Sequence, residues 1–287
     1  MNATKLPGLI AAAELLALTR ERGDDVLVLD ASFDLVNPQA GALMHRAAHV
    51  PGAIHIDLEC DLSGSRSGRN GRHPLPLPQA FAARMAALGA DESMTIIVCD
   101  RNGGMYAARL WWMLRWVGHA DVAVLDGGLA AWQGAGGAVE SGPVPPRQQG
   151  RFGVRAALES TIDFAAVRAG LGSAPRLIVD ARAADRFRGE NETLDPVAGH
   201  IPGAVNRYFR DNLNANGRFK PVEQLRAEWM AVLGRRAASD LVQQCGSGVT
   251  ACHNLLALHA AGLGGSVLYP GSWSEWCAQD GAAVAVG

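Results

Sequence analysis

A cysteine at the start of a glycine-rich turn is the residue in this sequence best placed to do chemistry. Cys245 follows the segment 241–244, which has the pattern of a buried strand, and precedes residues 251–261, a run of good helix formers closed by Gly262. A thiol at such a junction meets the amide N–H groups of the turn and the positive end of the helix. Both favour the thiolate. The sequence therefore predicts a nucleophilic cysteine at position 245.

The same turn fits two interpretations that involve no thiol chemistry. In the first, the cysteine is incidental to an ordinary glycine-rich turn, and the motif alone leaves this open. In the second, residues 246–251 match the G-x-G-x-x-A pattern of a dinucleotide-binding turn. That pattern needs an acidic residue about 20 positions on, at the end of the next strand. The chain has Tyr269–Gly271 after its next strand, which argues against a dinucleotide site.

Composition and charge narrow the functional class. The 287 residues suffice for one large domain or two of ordinary size. With 26 basic and 28 acidic residues the formal charge is −2, so we expect neither a nucleic-acid-binding nor a membrane-binding surface. The apolar stretch from Gly8 to Leu18 is interrupted by Glu14, which predicts an amphipathic helix rather than a signal peptide.

The cysteines indicate the compartment. They form an odd and irregular set, Cys60, Cys99, Cys245, Cys252 and Cys277. This pattern predicts a reducing environment, the cytoplasm, rather than a disulfide framework. Because Cys252 and the adjacent His253 have no second ligand pair at zinc spacing, we expect no metal site.

Four segments recur along the chain in the same order, 144 to 151 residues apart. The matches are Asp25–Ala31 with Arg176–Arg182, His49–Ala53 with His200–Ala204, Ile96–Asp100 with the strand and loop at Cys245, and Val124–Gly128 with Leu268–Ser272. Collinear matches at nearly constant spacing indicate a duplicated domain. We expect the histidine of each Pro-Gly turn, His49 and His200, to be structural and to hydrogen-bond its loop.

Each half alternates short apolar strands with helical segments. This predicts an α/β protein of two tandem domains, each an open parallel sheet with helices on both faces. We place the domains at residues 1–140 and 156–287, with a Gly/Pro-rich linker at 141–155. Asp100 stands in the first half where Cys245 stands in the second. Because a carboxylate cannot do thiol chemistry, only the C-terminal half is predicted to be catalytic.

Taken together, these motifs resemble the tandem-domain rhodanese sulfurtransferases of the thiosulfate/3-mercaptopyruvate type. The resemblance covers essentially the whole chain. It rests on both His-[Val/Ile]-Pro-Gly-Ala motifs, the strand-ending Asp30 and Asp180, the segments Asp126–Trp132 and Tyr269–Trp276, and above all Cys245–Cys252.

The resemblance implies covalent sulfur transfer. Cys245 would attack a sulfane sulfur, carry it as a persulfide and pass it to a thiol, cyanide or a reduced thioredoxin-like protein. Such carriage gives ping-pong kinetics and requires no metal or organic cofactor. Beyond a small anionic donor and that acceptor nothing demands a partner, so we expect a monomer. The residues expected to bind the donor and the persulfide are Arg186 and the loop residues Gly246, Ser247, Gly248, Val249 and Thr250.

Charge near the loop bears on the choice of donor. Thiosulfate-preferring relatives place cations directly after the cysteine, whereas the two residues after Cys245 are neutral, as in relatives that prefer mercaptopyruvate. Arg186 falls on the arginine that the family uses for the donor carboxylate. Animal mercaptopyruvate enzymes have a second such arginine slightly further on, where this chain has Glu190–Asp195; Arg188 and Arg207 are the candidate replacements. We predict 3-mercaptopyruvate as the donor, with thiosulfate as the alternative.

The resemblance also implies a relay of serine, histidine and acid beside the sulfur. Ser247 matches the serine, His73 is the candidate histidine, and Glu59 or Asp61 the candidate acid. An ordinary loop histidine at position 73 is the alternative.

Two other functional classes share this type of fold. Cysteine phosphatases carry an arginine six positions after the cysteine, which clamps phosphate, but this chain has Ala251 there. Some rhodanese domains lack the cysteine and act as binding modules. The intact cysteine and glycines of residues 245–248 favour an enzyme, with a non-catalytic binding module as the alternative.

Overall fold

The computed structural model describes residues 6–172 and 176–287. They divide into two compact units. The first comprises the chain up to Ser63 together with Pro76–Leu158, and the second comprises Gly64–Leu75 together with Glu159–Gly287. Within these described ranges no helix is long and apolar enough to cross a membrane. Nor do they contain a group of three or more His, Cys, Asp or Glu side chains that could hold a metal ion.

A five-stranded parallel sheet forms the centre of the first unit. Its strands are β1 Leu9–Ile10, β2 Val26–Asp30, β3 Ile54–His55, β4 Thr95–Cys99 and β5 Val122–Leu125. They lie in the order β1-β5-β4-β2-β3 and each neighbouring pair is parallel. The residues of β2, β4 and β5 are all buried, which explains why the sequence shows continuous apolar runs there.

Helices cover both faces of this sheet, as the sequence predicts. They are α1 Ala12–Arg22, α2 Ala40–Ala47, α3 Pro78–Ala87, α4 Ala107–Trp116 and α5 Gly128–Gly134. Val26 and Val28 of β2 pack in one apolar cluster with Leu15 of α1 and Trp132 of α5. The intervening Leu27 points to the other face and is also fully buried, and α4 contacts β4 and β5.

The N-terminal stretch differs from its predicted structure. The prediction of one helix over Gly8–Leu18 is wrong at its start, because Leu9–Ile10 form β1 and α1 begins only at Ala12. β1 pairs in parallel with Val124–Leu125 of β5. Hydrogen bonds to a strand far along the chain thus override the local helical pattern.

The second unit repeats this topology with four strands. They are β6 Leu177–Asp180, β7 Val205–Asn206, β8 Leu241–Gln244 and β9 Val267–Leu268. Their parallel order, β7-β6-β8-β9, matches the order β3-β2-β4-β5 of the first unit. The helices are α6 Phe164–Ala169, α7 Ala184–Arg188, α8 Val222–Leu233, α9 Ala251–Ala260 and α10 Ser272–Trp276. Val242 of β8 packs with Val167 of α6 and Trp273 of α10, and α9 also contacts β8.

The two histidines of the Pro-Gly turns hold loops in place, as predicted. The Nδ1 atom of His49 lies 2.7 Å from the carbonyl oxygen of His45. The Nδ1 atom of His200 lies 2.8 Å from that of Phe187. Each also forms an antiparallel backbone bridge within its own unit. These hydrogen bonds give both histidines a structural role, and no catalytic role is needed to explain them.

Candidate active site

Cys245 lies directly after β8, a central strand of the second sheet. This is the carboxyl edge, where open parallel sheets bind ligands. The Cys245 amide donates a hydrogen bond to Oγ of Ser272 (3.1 Å), and the Cys245 carbonyl accepts one from the amide of Trp273 (3.0 Å). The first residues of α10 therefore fix the backbone at the cysteine. The residue is buried, with only 2% of its surface exposed.

The loop after the cysteine turns directly into α9, and the helix predicted over 251–261 is confirmed to within one residue. Gly248 has φ +75°, a conformation that favours glycine, and a Cβ there would overlap the carbonyl oxygen of Pro270. At Gly246, by contrast, the nearest atoms to such a Cβ are the guanidinium ends of Arg72 and Arg186. The backbone therefore requires glycine at 248, whereas at 246 only flexible side-chain ends would have to move.

The corresponding turn of the first unit shows how such a loop directs backbone N–H groups at the side chain with which it begins. Asp100 follows β4 as Cys245 follows β8. Burial raises the pKa of Asp100, and four backbone amides that donate to its carboxylate at 2.8 to 2.9 Å oppose that effect. The donors are Asn102, Gly104, Tyr106 and Ala107. A loop of this kind can therefore converge several N–H groups on one acceptor, and Cys245 occupies the equivalent position.

Ser247 and His73 lie together beside the nucleophile. The Oγ atom of Ser247 is 2.8 Å from Nδ1 of His73, and both residues are buried. His73 belongs to the segment Gly64–Leu75 of the second unit. Of the two candidate acids, Asp61 accepts a hydrogen bond from Nε of Arg84 in the first unit (2.7 Å), and Glu59 is exposed. The serine–histidine pair is thus in contact, while the acid of the relay stays a prediction.

The remaining predicted loop residues, Val249 and Thr250, lead into the helix α9. Val249 is buried, and Thr250 is half-buried at the residue before α9. The sulfhydryl of Cys252, in the first turn of α9, donates to the carbonyl oxygen of Gly248 (3.3 Å). The loop is therefore tied to the helix that follows it.

Arg186 of α7 reaches this loop from the side. Its Nη2 atom donates to Oε1 of Glu192 (2.7 Å) and to Oδ2 of Asp195 (3.4 Å). The arginine side chain is 19% exposed, whereas the two acids are 2% and 3% exposed. Its two terminal nitrogens lie 3.6 and 3.7 Å from the position that a Cβ of Gly246 would take. The predicted donor-binding arginine thus lies next to the residue that follows the nucleophile.

A second guanidinium at the same point belongs to Arg72, a residue absent from the predicted site. Its Nη1 atom donates to Oδ1 of Asp195 (2.6 Å), and its Nη2 atom lies 3.2 Å from the Cβ position of Gly246. The sequence signal that could have identified it is its place directly before His73, in a stretch rich in arginine and glycine.

The two arginines considered as replacements for a second donor contact lie in other ion pairs. Arg188 pairs with Glu190 at the surface (2.7 Å). Arg207 pairs with Glu228 of α8 (2.6 Å). The guanidinium nitrogens next to Gly246 are those of Arg72 and Arg186.

A buried layer of charges supports these two arginines. Arg182 is 1% exposed and donates to Oδ2 of Asp180 (2.7 Å) and Oε2 of Glu192 (3.3 Å). Its guanidinium also lies over the ring of Trp273, 4.8 Å from the centroid. Acids and arginines alternate from the interior to the loop, in the order Asp180, Arg182, Glu192, Arg186, Asp195 and Arg72.

The two acids nearest the loop respond differently to this environment. Burial raises the pKa of Asp195, although the charge of Arg72 acts in the opposite direction. Burial also acts to raise the pKa of Glu192, but hydrogen bonds from Arg186 and from the Leu194 amide outweigh it and hold that pKa below its usual range. The formal charges of Arg72 and Arg186 are balanced by those of Glu192 and Asp195. The loop therefore faces hydrogen-bond donors but no large net positive charge.

The family of rhodanese-like domains matches the chain twice, over residues 11–135 and 163–279. The chain belongs to the rhodanese family. The predicted resemblance and the predicted α/β class of the fold are both confirmed.

Relatives of this rhodanese are sulfurtransferases. The protein named "Probable 3-mercaptopyruvate sulfurtransferase" of Pseudomonas aeruginosa is 47% identical, over 97% of this chain and 98% of its own. Thiosulfate sulfurtransferase of Gallus gallus is 32% identical, over 88% and 87%. The solved structure of 3-mercaptopyruvate sulfurtransferase from Leishmania major has a TM-score of 0.82 and 31% identity, covering 96% of this chain and 75% of that protein. The rhodanese described here is accordingly a sulfurtransferase.

Proposed function

We propose that this rhodanese transfers sulfur from 3-mercaptopyruvate to a thiophilic acceptor through a persulfide on Cys245. One observation carries the proposal: a cysteine at the carboxyl end of β8 opens a neutral loop, beside which the guanidinium groups of Arg72 and Arg186 lie. The names of relatives such as the Escherichia coli 3-mercaptopyruvate sulfurtransferase, 37% identical over 80% of this chain, support the same donor. In this proposal residues 156–287 form the catalytic domain, joined by a linker at 141–155 to the domain of residues 1–140.

In the first half-reaction the Cys245 thiolate attacks the sulfur of 3-mercaptopyruvate. An S–S bond forms while the bond between that sulfur and C3 breaks. The electron pair of the broken bond stays on the carbon fragment, which becomes the enolate of pyruvate and takes up one proton at C3. Cys245 is left as a persulfide, so no outside oxidant or reductant is needed.

In the second half-reaction the acceptor attacks the outer sulfur of the persulfide. The S–S bond breaks and its electron pair returns to Cys245 as the thiolate. A thiol, cyanide or a reduced thioredoxin-like protein can act as this acceptor, because each presents a soft nucleophile. The odd and irregular set of five cysteines supports a reducing compartment, the cytoplasm, as the place of action.

The neighbouring residues take separate roles in this proposal. Loop amides stabilise the anionic sulfur, as those of the first unit hold the Asp100 carboxylate. The pair of Ser247 and His73, 2.8 Å apart, carries the proton that the pyruvate enolate takes up. Arg186 binds the donor carboxylate by charge-assisted hydrogen bonds.

The charge balance around the loop favours mercaptopyruvate over thiosulfate. Thiosulfate is a dianion and gains most from a net positive site, whereas mercaptopyruvate carries one carboxylate. Here Glu192 and Asp195 balance the charges of Arg186 and Arg72, and Gly246 is neutral. Such a site offers directed donors to a monoanion but little extra attraction to a dianion.

Steady-state kinetics with each donor in turn, and cyanide as the common acceptor, test this function. We expect kcat/KM to be at least about 10-fold higher with 3-mercaptopyruvate than with thiosulfate, because a single guanidinium–carboxylate contact is worth that much. A ratio in favour of thiosulfate would replace the proposed donor with the alternative. No transfer from either donor by folded, reduced protein would instead support a non-catalytic binding module.

Arg186→Ala is expected to raise KM for 3-mercaptopyruvate by about 10- to 100-fold, because it removes a charged contact to the donor carboxylate. Thermal unfolding should change much less, since Arg182 still pairs with Glu192 and Arg72 with Asp195. The matched control is Arg188→Ala on the same helix, whose partner Glu190 lies at the surface. An unchanged KM in Arg186→Ala would assign this arginine to structure alone.

A further inference from the structure

A cavity of about 260 Å³ lies in the second unit, at the edge of the sheet opposite Cys245. Its lining includes Leu177, the first residue of β6, and Gly203 in the turn before β7. Cys245 instead follows the last residue of β8. Because these strands are parallel, their amino ends share one edge of the sheet and their carboxyl ends the other. The cavity is therefore separate from the candidate active site.

Apolar side chains form the inner wall of this cavity. Ile178 of β6 and Val242 of β8 are paired in the sheet register, and Val167 of α6 packs in the same cluster. All three are buried. Ile162, which is buried, and Leu171, which is half-buried, line the cavity beside them. Hydrocarbon placed against these side chains would leave water, and that transfer favours binding.

Two arginines also line this cavity. Arg176 is the residue before β6, and Arg236 lies between α8 and β8. Both are exposed. Across residues 6–172 and 176–287, neither guanidinium forms an ion pair or a hydrogen bond, and no residue that lines the cavity carries a carboxylate. By contrast, Arg207 in the same unit pairs with Glu228. The cavity thus combines an apolar wall with positive charge that no acid in that part of the chain pairs with.

This combination suits a carboxylate that carries a short apolar body. A guanidinium binds a carboxylate through charge-assisted hydrogen bonds, and the hydrocarbon would lie against the inner wall. An apolar cavity of about 150 Å³ takes up benzene, so one of about 260 Å³ has room for roughly ten non-hydrogen atoms. Octanoate has that size. A neutral apolar ligand would fill the same volume but would leave both arginines without a partner.

We propose that this cavity is a binding site for a free monocarboxylate with an apolar body of about eight carbons, whose carboxylate contacts Arg176 and Arg236. The site is independent of the proposed function, since neither the sulfur donor nor Cys245 is part of it. Binding is expected to stabilise the second unit, because a ligand that binds only the native state shifts the unfolding equilibrium towards that state.

Calorimetric titration of the full-length protein with octanoate tests the proposal. We expect a Kd of about 0.1 to 1 mM, the range for a ligand of this size. At about ten times the Kd, the thermal midpoint should rise by roughly 2 to 4 °C. Arg176→Ala/Arg236→Ala should bind octanoate about 10-fold more weakly, because the carboxylate loses both partners. The uncharged analogue 1-octanol should bind the wild type and this double variant equally.

Other single variants serve as controls. Arg235→Ala removes the same charge from the adjacent exposed residue, which does not line the cavity, and should bind octanoate as the wild type does. Arg186→Ala, beside the catalytic loop, should also keep the wild-type Kd. Ala166→Phe places a ring at an exposed position of α6 that lines the cavity. It should abolish the binding of both octanoate and 1-octanol, because the ring occupies their volume.

The absence of octanoate binding to the wild type up to about 10 mM would contradict the proposal. A wild-type Kd in Arg176→Ala/Arg236→Ala would do so as well, since the cavity would then accept apolar groups regardless of charge, such as a side chain of another protein. Loss of binding in Arg186→Ala, together with a wild-type Kd in the double variant, would place the carboxylate at the catalytic loop instead.

Discussion

Replacement of Cys245 by serine is expected to lower sulfur transfer by roughly 1000-fold or more, because a serine hydroxyl neither attacks sulfur at neutral pH nor forms a persulfide. The fold should be retained. The cysteine is held by main-chain contacts to Ser272 and Trp273, which serine keeps, and the side chains differ little in volume. We therefore expect the thermal midpoint to change by no more than about 2 °C. Steady-state kinetics and a thermal melt measure both quantities.

Cys60→Ser is the matched control for this variant, because Cys60 is an exposed cysteine of the first unit. It should retain the wild-type rate. Mass spectrometry after mixing with donor alone should find one added sulfur on the peptide containing Cys245 in the wild type and in Cys60→Ser, and none in Cys245→Ser. A residual activity of more than a few per cent in Cys245→Ser would rule out this nucleophile.

Gly248→Ala is expected to disrupt the loop that surrounds the sulfur. The residue adopts φ +75°, and an added Cβ would overlap the carbonyl oxygen of Pro270, so the backbone must shift. The left-handed conformation alone costs an alanine about 1–2 kcal/mol, and the overlap adds to that. We expect the unfolding free energy to fall by at least about 2 kcal/mol, the thermal midpoint by roughly 5 °C or more, and kcat by about 100-fold.

Gly246→Ala provides the comparison for that variant at the other glycine of the loop. Its Cβ would lie 3.2 Å from Nη2 of Arg72 and 3.6 Å from Nη2 of Arg186, which are flexible side-chain ends. We expect nearly wild-type stability, with an increase in KM for the donor as the two arginines are displaced. Equal stability of Gly248→Ala and the wild type would show that the loop tolerates a side chain at both positions.

The second unit shows which parts of a site follow from local sequence. The strand, turn and helix around Cys245 are encoded by neighbouring residues: a buried strand, two glycines and a run of helix formers. The preferences of residues for strand, turn and helix depend on neighbours a few positions away, so the pattern of these elements is visible in the sequence. The duplication is visible for a similar reason, because collinear motifs recur whatever their contacts.

The first unit shows where local pattern is not enough. Residues 9 and 10 continue an apolar helical stretch in the sequence, yet they form β1 because the edge of β5 offers hydrogen bonds to them. Asp100 was identifiable from the repeat as the counterpart of Cys245. That four loop amides converge on its carboxylate depends on backbone geometry, which the motif alone does not specify.

By itself, the sequence of this protein determined its family, its duplicated α/β fold, its candidate nucleophile Cys245 and the candidate donor-binding Arg186. The tertiary structure decided which distant side chains are in contact. The resemblance named His73 as a candidate partner of Ser247, and the structure brings the two together across 174 positions of the chain. Only the structure brings Arg72 to Asp195, across 123 positions. The physical reason is that such pairs depend on where a connecting segment packs. That packing is set by burial and hydrogen bonding throughout the unit rather than by the residues beside each partner.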